Sequence, residues 1–329
     1  MMAGLDAGNV SGLLFFCCLE TGVFYRLSLD DERCQKMEEE EKGKFLKEER
    51  KVSGWKGYTQ RAHLNTCSFG AGTLRAIRLR LWDSLLISFS MYSRIPVPLA
   101  EWSKEGMRYV LCFFPMVGVV IGMAAAGVVC LSHSLGWGKL AFGCVGTVLP
   151  VLLTGGIHMD GFLDVVDARS SCQPMERKLE ILKDPHTGAF AIVYGMVYML
   201  LYLAVFSELG EKAFPAASGV YVLERAMSGW SVVSFPKAKR DGLASTFAGE
   251  ASKRTVQIWL AAWALAASLF LVWMAGALAG GMAVAAACLV FGWYYRMSIK
   301  EFGGITGDLA GYFLQVCELV MLAVLAVML

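Results

Sequence analysis

Charged residues are scarce in this sequence. They make up 18% of its 329 residues, against about 25% in soluble domains, while hydrophobic residues make up 56%. The shortage is uneven, because residues 1–80 are rich in charge and long stretches after residue 108 have almost none. Together with a mean hydropathy of +0.52, this distribution argues against a soluble core and indicates an integral membrane protein.

Two further absences narrow the range of functions. The ten cysteines include no Cys-X-X-Cys pair, which argues against a zinc ribbon. Several of them lie in apolar runs, where a cysteine behaves as a small hydrophobic residue. The net charge is only +2, and no strongly basic domain stands out. A nucleic-acid-binding function is therefore not expected.

Residues 1–72 are unlike the rest of the chain. They carry the acidic run at 38–41, mixed lysines and little apolar periodicity, and their apolar stretch at 13–19 is too short to span a bilayer. This composition predicts a poorly ordered extension, or an artefactual one that results from a start site placed too far upstream. Residues 73–329 are expected to form the membrane-embedded domain.

Long uncharged segments follow, and a helical span needs about 20 of their residues. One of them, 255–295, is long enough for two helices with a turn at Gly280-Gly281. The sequence therefore predicts an all-α, polytopic membrane bundle of about seven transmembrane helices. The predicted segments are 109–132, 140–157, 187–207, 213–235, 255–295 and 309–329.

The lysines and arginines predict the orientation of this bundle. They concentrate before residue 109 and in the loops 158–186, 236–254 and 296–308. Since basic loops stay in the cytoplasm, these segments are expected inside, with a cytoplasmic N-terminus and an outside C-terminus. The protein is thus expected in the cytoplasmic membrane as a multi-pass protein.

A group of aspartates opens the first of these loops. Asp160, Asp164 and Asp167 are spaced by four and three residues, which places their carboxylates on one face of a helix. Because like charges on one face repel, a cation has to neutralise them, and a hard divalent ion suits oxygen ligands. A solvated polar helix face is the alternative, although such faces usually mix charges of both signs.

Two neighbouring segments offer partners for this group. Arg177 and Lys183 lie on a predicted short amphipathic helix that Pro185 ends, and they suit phosphate oxygens or ordinary anchoring at the inner membrane surface. Residues 303–308 read GGITGD at the start of the last helix. Glycines there suit close backbone approach to a ligand or a simple turn.

Four motifs occur together in this chain. Residues 93–98 read SRIPVP, Phe114-Pro115 precede Gly118 and Gly122, residues 155–167 read GGIHMDGFLDVVD and continue to Gly188, and residues 303–308 close the series. In this order the four motifs resemble those of the cobalamin synthase family, whose enzymes are also called adenosylcobinamide-GDP ribazoletransferase. The resemblance covers about residues 75–329.

The resemblance implies a magnesium-dependent transferase. Its substrates would be adenosylcobinamide-GDP and α-ribazole or α-ribazole 5′-phosphate, and its products adenosylcobalamin or its 5′-phosphate and GMP. A metal ion and basic side chains would neutralise the negative charge of the diphosphate. On this basis Asp160 and Asp164 are expected to hold Mg²⁺, with Asp167 as third ligand or general base and His158 or Asp308 as alternative bases. The candidate substrate-binding residues are Arg177, Lys183, Arg225, Gly155, Gly156 and Gly304.

Two other functions fit part of the pattern. A phosphotransferase of the CDP-alcohol type also uses several aspartates with a metal, but its motif places an alanine-arginine pair between the carboxylates, whereas Ala168-Arg169 follow the third aspartate here. A secondary transporter would place ionisable residues near mid-bilayer, often with an inverted repeat. The aspartates cluster at one surface instead, which favours an enzyme.

Overall fold

The computed structural model describes residues 68–98, 100, 102–210, 213–238, 249 and 251–329. Among these residues there are helices and no strand, and the one β-bridge joins Lys237 to Ile305. The predicted all-α class is confirmed. In chain order the helices are α1 (Ser68–Tyr92), α2 (Lys104–Met107), α3 (Val110–Leu135), α4 (Lys139–Thr154), α5 (Ile157–Ser170), α6 (Met175–Ile181), α7 (Ala189–Glu208), α8 (Ala213–Ser234), α9 (Lys253–Phe302) and α10 (Gly307–Met328).

The predicted N-terminal extension lies almost wholly outside the described residues. Helix α1 begins at Ser68, so the boundary expected between residues 72 and 73 falls inside this helix. Its second half packs on the bundle through Ile87, which is fully buried. The Ser84 hydroxyl also donates a hydrogen bond of 2.6 Å to the Gly106 carbonyl oxygen at α2.

Four described helices are long and apolar enough to cross a membrane, namely α3, α7, α9 and α10. The bent pair of α4 and α5 adds a fifth span if it is counted as one. A multi-pass membrane protein is thus confirmed, while the predicted count of seven is not. Helix α8, which carries the neighbouring charges Glu224 and Arg225, is not among these spans.

Helix α9 reverses direction within its 50 residues. Its backbone leaves the helical conformation at Gly276 (φ 80°, ψ 165°). A Cβ added at Gly280 would lie 2.5 Å from the Leu271 carbonyl oxygen and 2.6 Å from the Val272 Cα, so the two halves lie side by side. The prediction of two helices in 255–295 is confirmed, but the turn lies at Gly276, since Gly280 is needed for close packing.

Helices α4 and α5 meet at an angle of 97°. Gly155 and Gly156 make the bend with φ values of 66° and 78°, a left-handed conformation that favours glycine. The 14 residues of α5 extend only about 21 Å, and α5 is polar. We therefore do not count α5 by itself as a membrane-spanning helix. Part of the predicted loop 158–186 is thus helical, and the predicted short helix is confirmed as α6.

Helix α8 lies at the centre of the bundle. Nearly all its side chains are buried, including Val220 and Tyr221, which are fully inaccessible. It packs against α3, α9 and α10. By contrast, α7 exposes large apolar side chains such as Met196 and Leu200. A surface of this kind on an apolar helix suits contact with lipid.

Candidate active site

The site is built where α5 crosses the start of α10. A Cβ added at Gly161 would lie 2.9 Å from both the Cα and the carbonyl oxygen of Asp308. One turn further along α10, a Cβ at Gly311 would lie 3.2 Å from the carbonyl oxygen of His158. Glycine at both positions lets the two backbones approach, and this contact brings Asp308 to the aspartates of α5.

Three of the four carboxylates act on the fourth, Asp164. Burial and then the negative charges of Asp160, Asp308 and Asp167 raise the pKa of Asp164 to about 7. Asp160 is exposed, and the other three are partly buried. Asp308 also accepts a hydrogen bond of 3.3 Å from the Thr306 hydroxyl, which caps α10 by accepting from the Leu309 amide. A group of neighbouring carboxylates, one of which resists ionisation, fits a bound cation.

The carboxylate cluster suits Mg²⁺ in its negative charge and in the type of ligand atom that it offers. Carboxylate oxygens are the ligands that this ion prefers, and the cluster supplies several of them from α5 and α10. Within the part of the chain that the structure describes, however, no three histidine, cysteine, aspartate or glutamate side chains converge on one point. The carboxylates are therefore neighbours rather than a preformed coordination shell, and the predicted ligand set remains a prediction.

Asp167 has different surroundings from the other three carboxylates. Its carboxylate packs against the Cα of Gly188, and a side chain at that position would overlap it. Gly188 is the N-cap of α7, so this carboxylate lies at the positive end of a helix. Sequence reasoning had included Gly188 only as the end of a motif. The contact explains why the site needs a glycine there.

His158 does not join the carboxylates. It is 6% exposed, and its ring stacks with Tyr92 at 6.1 Å and packs against Phe114 at 5.7 Å between centroids. Burial and the charge of Arg225 lower its pKa well below the ordinary value. A buried ring on the inner side of α5 is poorly placed to take a proton from a substrate, so the structure argues against His158 as the base.

Arg225 is likewise removed from the site. It is 1% exposed, forms an ion pair with Glu224 and donates a hydrogen bond of 3.0 Å to the Tyr221 carbonyl oxygen. Its guanidinium is held inside the bundle by these contacts. Its burial and its pairing with Glu224 argue against the interpretation of Arg225 as a phosphate-binding residue.

The two cations predicted on the α6 segment differ in their pairing. Arg177 forms an exposed ion pair of 2.5 Å with Glu180, one turn away. Lys183 is exposed, and none of the described residues forms an ion pair or hydrogen bond with its ammonium group. Of the two, Lys183 is the one whose charge is available to a ligand.

The bend between α4 and α5 places another cation at the start of α5. The Arg94 side chain lies across Gly155, where a Cβ would be 2.5 Å from its Nε. The Arg94 amide also donates to the Leu153 carbonyl oxygen at 2.7 Å. A Cβ added at Gly156 would make only an ordinary contact, 3.9 Å from the Val151 side chain. Sequence reasoning missed Arg94 as a site residue, although the SRIPVP motif contained the signal.

Gly304 has a structural partner. Its Cα faces the backbone of residues 236–238, and the Ile305 amide donates to the Pro236 carbonyl oxygen at 2.8 Å. The Ala238 amide donates a hydrogen bond of 3.1 Å to the Ile305 carbonyl oxygen. These contacts account for the glycine without a ligand, and they fix the connection that carries Asp308.

A second group of charges holds the end of α5. Glu301 accepts two bonds of 3.2 Å from Arg169 and one of 2.9 Å from Lys178. Arg169 also donates to the Tyr312 hydroxyl at 3.0 Å and lies over the Trp293 ring at 5.3 Å. Helices α5, α6, α9 and α10 are joined here, an arrangement that no spacing in the sequence revealed.

Comparison with known proteins shows the family to which the chain belongs. The model of the cobalamin-5-phosphate synthase family matches residues 84–326, a range that contains α5, α10 and all four carboxylates. The chain belongs to the cobalamin-5-phosphate synthase family. Its matched range begins within α1, and the extension predicted at residues 1–72 lies outside it.

Several members of this family resemble the chain closely. A protein of Lachnoclostridium phytofermentans is 44% identical over 238 residues, which cover 72% of this chain and 90% of the relative. Proteins of Clostridium botulinum and Geobacillus kaustophilus are each 30% identical, covering 73% and 74% of this chain and 95% of each relative. All three are named adenosylcobinamide-GDP ribazoletransferase. No solved structure matches the chain.

Proposed function

We propose that this protein joins adenosylcobinamide-GDP to α-ribazole, or to α-ribazole 5′-phosphate, and releases GMP. A hydroxyl of the ribazole would attack the phosphate attached to the cobinamide. The product would be adenosylcobalamin or its 5′-phosphate. The observation that carries the proposal is the cluster of four carboxylates at the crossing of α5 and α10, within a chain whose relatives bear the name of this activity.

We further propose that Asp160 and Asp164 hold Mg²⁺, since they lie one turn apart on α5. When bound, the ion would supply positive charge to the diphosphate and to the leaving GMP. Asp308 lies beside them through the contact with Gly161 and is a candidate third ligand. These assignments rest on charge and proximity.

The remaining residues have separate proposed tasks. Asp167 belongs to the cluster but packs against Gly188, so we assign it the role of accepting the proton of the attacking hydroxyl. Arg94 and Lys183 are assigned to the substrate phosphates, because their exposed side chains reach solvent. Positioning and charge stabilisation would account for most of the rate enhancement.

The proposed location is the cytoplasmic membrane, with the site facing the cytoplasm. The helix ends around α5 carry many basic residues. At the opposite end of α4, by contrast, the charge of Lys139 is neutralised by an ion pair of 2.8 Å with Glu208. Basic residues favour the cytoplasmic side. The bases around the site end are Arg94, Arg108, Arg169, Lys178, Lys183, Lys253 and Lys300.

A secondary transporter is the second candidate function. It is favoured by one observation, the burial of Glu224, Arg225 and Glu318 near the middle of their helices. Ionisable groups at that depth often mark ion pathways. The aspartate cluster at the bundle's edge has no comparable explanation in a transporter.

The test is release of GMP by the purified protein in lipid. GMP should appear only when adenosylcobinamide-GDP, α-ribazole and Mg²⁺ are all present, and in a one-to-one ratio with the cobalamin product. An Asp160→Asn and Asp164→Asn double variant is the matched control. GMP release that is independent of α-ribazole would refute the transfer reaction, and substrate uptake into vesicles without GMP release would favour the transporter.

A further inference from the structure

A group of polar side chains is buried in the bundle away from the proposed active site. Glu224 and Arg225 lie on α8 and Glu318 lies on α10, each near the middle of its helix. All three are at most 1% exposed. Charges in such a position are costly unless they are neutralised, so their contacts need an explanation.

Tyrosines of α7 and α8 complete this group. The Tyr202 hydroxyl donates to the Glu318 carboxylate at 2.6 Å and lies 3.1 Å from the Tyr221 hydroxyl. Arg225 pairs with Glu224. Tyr198 of α7, Cys317 of α10 and His158 of α5 are the other titratable groups that face the cluster.

The charges of this cluster do not balance. Two carboxylates and one guanidinium leave one negative charge, and His158 is too buried to offset it. One oxygen of Glu224 and one of Glu318 have no hydrogen-bond donor, and the Arg225 Nε has no acceptor. The two carboxyl groups nevertheless lie within hydrogen-bonding reach of each other. Two ionised carboxylates in that position would repel.

We propose that Glu224 and Glu318 share one proton and so form a proton-binding site inside the membrane bundle. The shared proton supplies the donor that both free oxygens lack, and it brings the net charge of the cluster to zero. Tyr202 and Tyr221 extend the hydrogen-bond chain from Glu318. The site is separate from the aspartate cluster and does not depend on the proposed reaction.

The first test detects the proton by infrared spectroscopy on the purified protein in lipid. At alkaline pH, above the pKa of about 7 of Asp164, the wild type should keep the carbonyl stretch of a protonated carboxyl group, and the band should shift in D₂O. Glu224→Gln and Glu318→Gln should each lose this band. Asp164→Asn is the matched control and should keep it. Absence of the band in the wild type, or its persistence in both glutamine variants, overturns the proposal.

The second test uses thermal unfolding. Glutamine has the shape and the donor of a protonated glutamate, so each single variant should fold and melt close to the wild type. The double variant leaves Arg225 without an anionic partner and should melt at a clearly lower temperature. If neither single variant folds, the shared-proton arrangement is refuted. Stabilisation of the wild type by Na⁺ over choline at equal ionic strength, without the infrared band, would assign the site to a metal cation instead.

Discussion

Asp160, Asp164, Asp167 and Asp308 are chemically alike, but their surroundings differ. Asp160 is exposed, Asp164 is half-buried among the other three, Asp167 lies at the start of α7, and Asp308 is held by the Thr306 cap. Because the four side chains differ in exposure and in the groups they contact, identical substitutions at these positions should give different results. Single-residue experiments can therefore separate their roles.

The raised pKa of Asp164 predicts a pH-dependent stability. The unfolded carboxyl titrates near 3.8 and the folded one near 7, so the folded state binds more protons between these values. Stability without Mg²⁺ should then fall as pH rises through this window and level off above it. Melting temperatures of wild type should show the decline, and Asp164→Asn should reduce it. A decline of equal size in Asp164→Asn would refute the assignment.

Substitution of each aspartate by asparagine should separate cation binding from catalysis. Asp160→Asn and Asp164→Asn should abolish GMP release and also abolish the rise in melting temperature caused by Mg²⁺, which follows from binding to the folded state. Asp167→Asn should lose GMP release but keep this rise.

Glu176→Gln is the control for the asparagine series, because it removes an exposed charge from the first turn of α6 and should change neither quantity. If Asp167→Asn also loses stabilisation by Mg²⁺, then Asp167 is a ligand. Near-normal GMP release from both Asp160→Asn and Asp164→Asn would refute the site.

Arg94→Ala should raise KM for adenosylcobinamide-GDP more than it lowers kcat. The reason is that a phosphate is charged in the ground state as well as in the transition state, so the lost contact weakens both. Loss of one such contact should change KM by about tenfold, equivalent to roughly 1.4 kcal/mol. Arg177→Ala is the comparison, since Arg177 is another exposed arginine and lies on α6. Equal effects of the two variants would argue against a specific role for Arg94.

At the scale of helices, the crossing of α5 and α10 determines the site. Gly161 and Gly311 allow backbone contact with Asp308 and His158, and the bond of Glu301 with Arg169 fixes the other end of α5. Backbone contact leaves no room for adjustment by a side chain. The distance between the carboxylates of α5 and Asp308 is therefore set by small residues.

Gly161→Ala should push α5 away from α10 and lower both stability and kcat. Overpacking of this kind usually costs about 1–3 kcal/mol, which thermal unfolding can measure. Gly292→Ala is the matched control, because Gly292 is also helical and has nothing within 4 Å of an added Cβ. It should be neutral or slightly stabilising. A Gly161→Ala protein with normal stability and kcat would show that the contact is not required.

At the scale of the whole molecule, the ends of the helices define two faces. The end of α10 lies on the face opposite α5, as do Lys139 and Glu208. If the site faces the cytoplasm, a reporter fused after Leu329 should be active outside the membrane, and one inserted at exposed Lys183 should be active inside. A reporter at Leu329 that is active only in the cytoplasm would reverse the orientation.

Much of the fold follows from local features of the sequence. Apolar length identifies α3, α7 and α10, and the spacing of Asp160, Asp164 and Asp167 identifies one face of α5. The predicted count of seven spans is not confirmed. One reason is that the chain bends by 97° between α4 and α5, at Gly155 and Gly156. Local composition reports how apolar a segment is, and it does not report where the chain turns.

The candidate site was only partly predictable for a related reason. His158 and Arg225 have the right chemistry for catalysis and phosphate binding, yet both side chains face the bundle interior. Arg94 and Asp308 are far from α5 along the chain, and only tertiary packing brings Arg94 to Gly155 and Asp308 to Gly161.

The sequence by itself determined that this is a helical membrane protein with an acidic site, because hydrophobic length and charge spacing are properties of neighbouring residues. It also carried the motifs by which its family is identified. The tertiary structure alone decided that Asp308 joins the aspartates and that Glu224 meets Glu318. Those contacts depend on where separate helices cross, and the crossing points are fixed by the packing of glycines and buried side chains from distant parts of the chain.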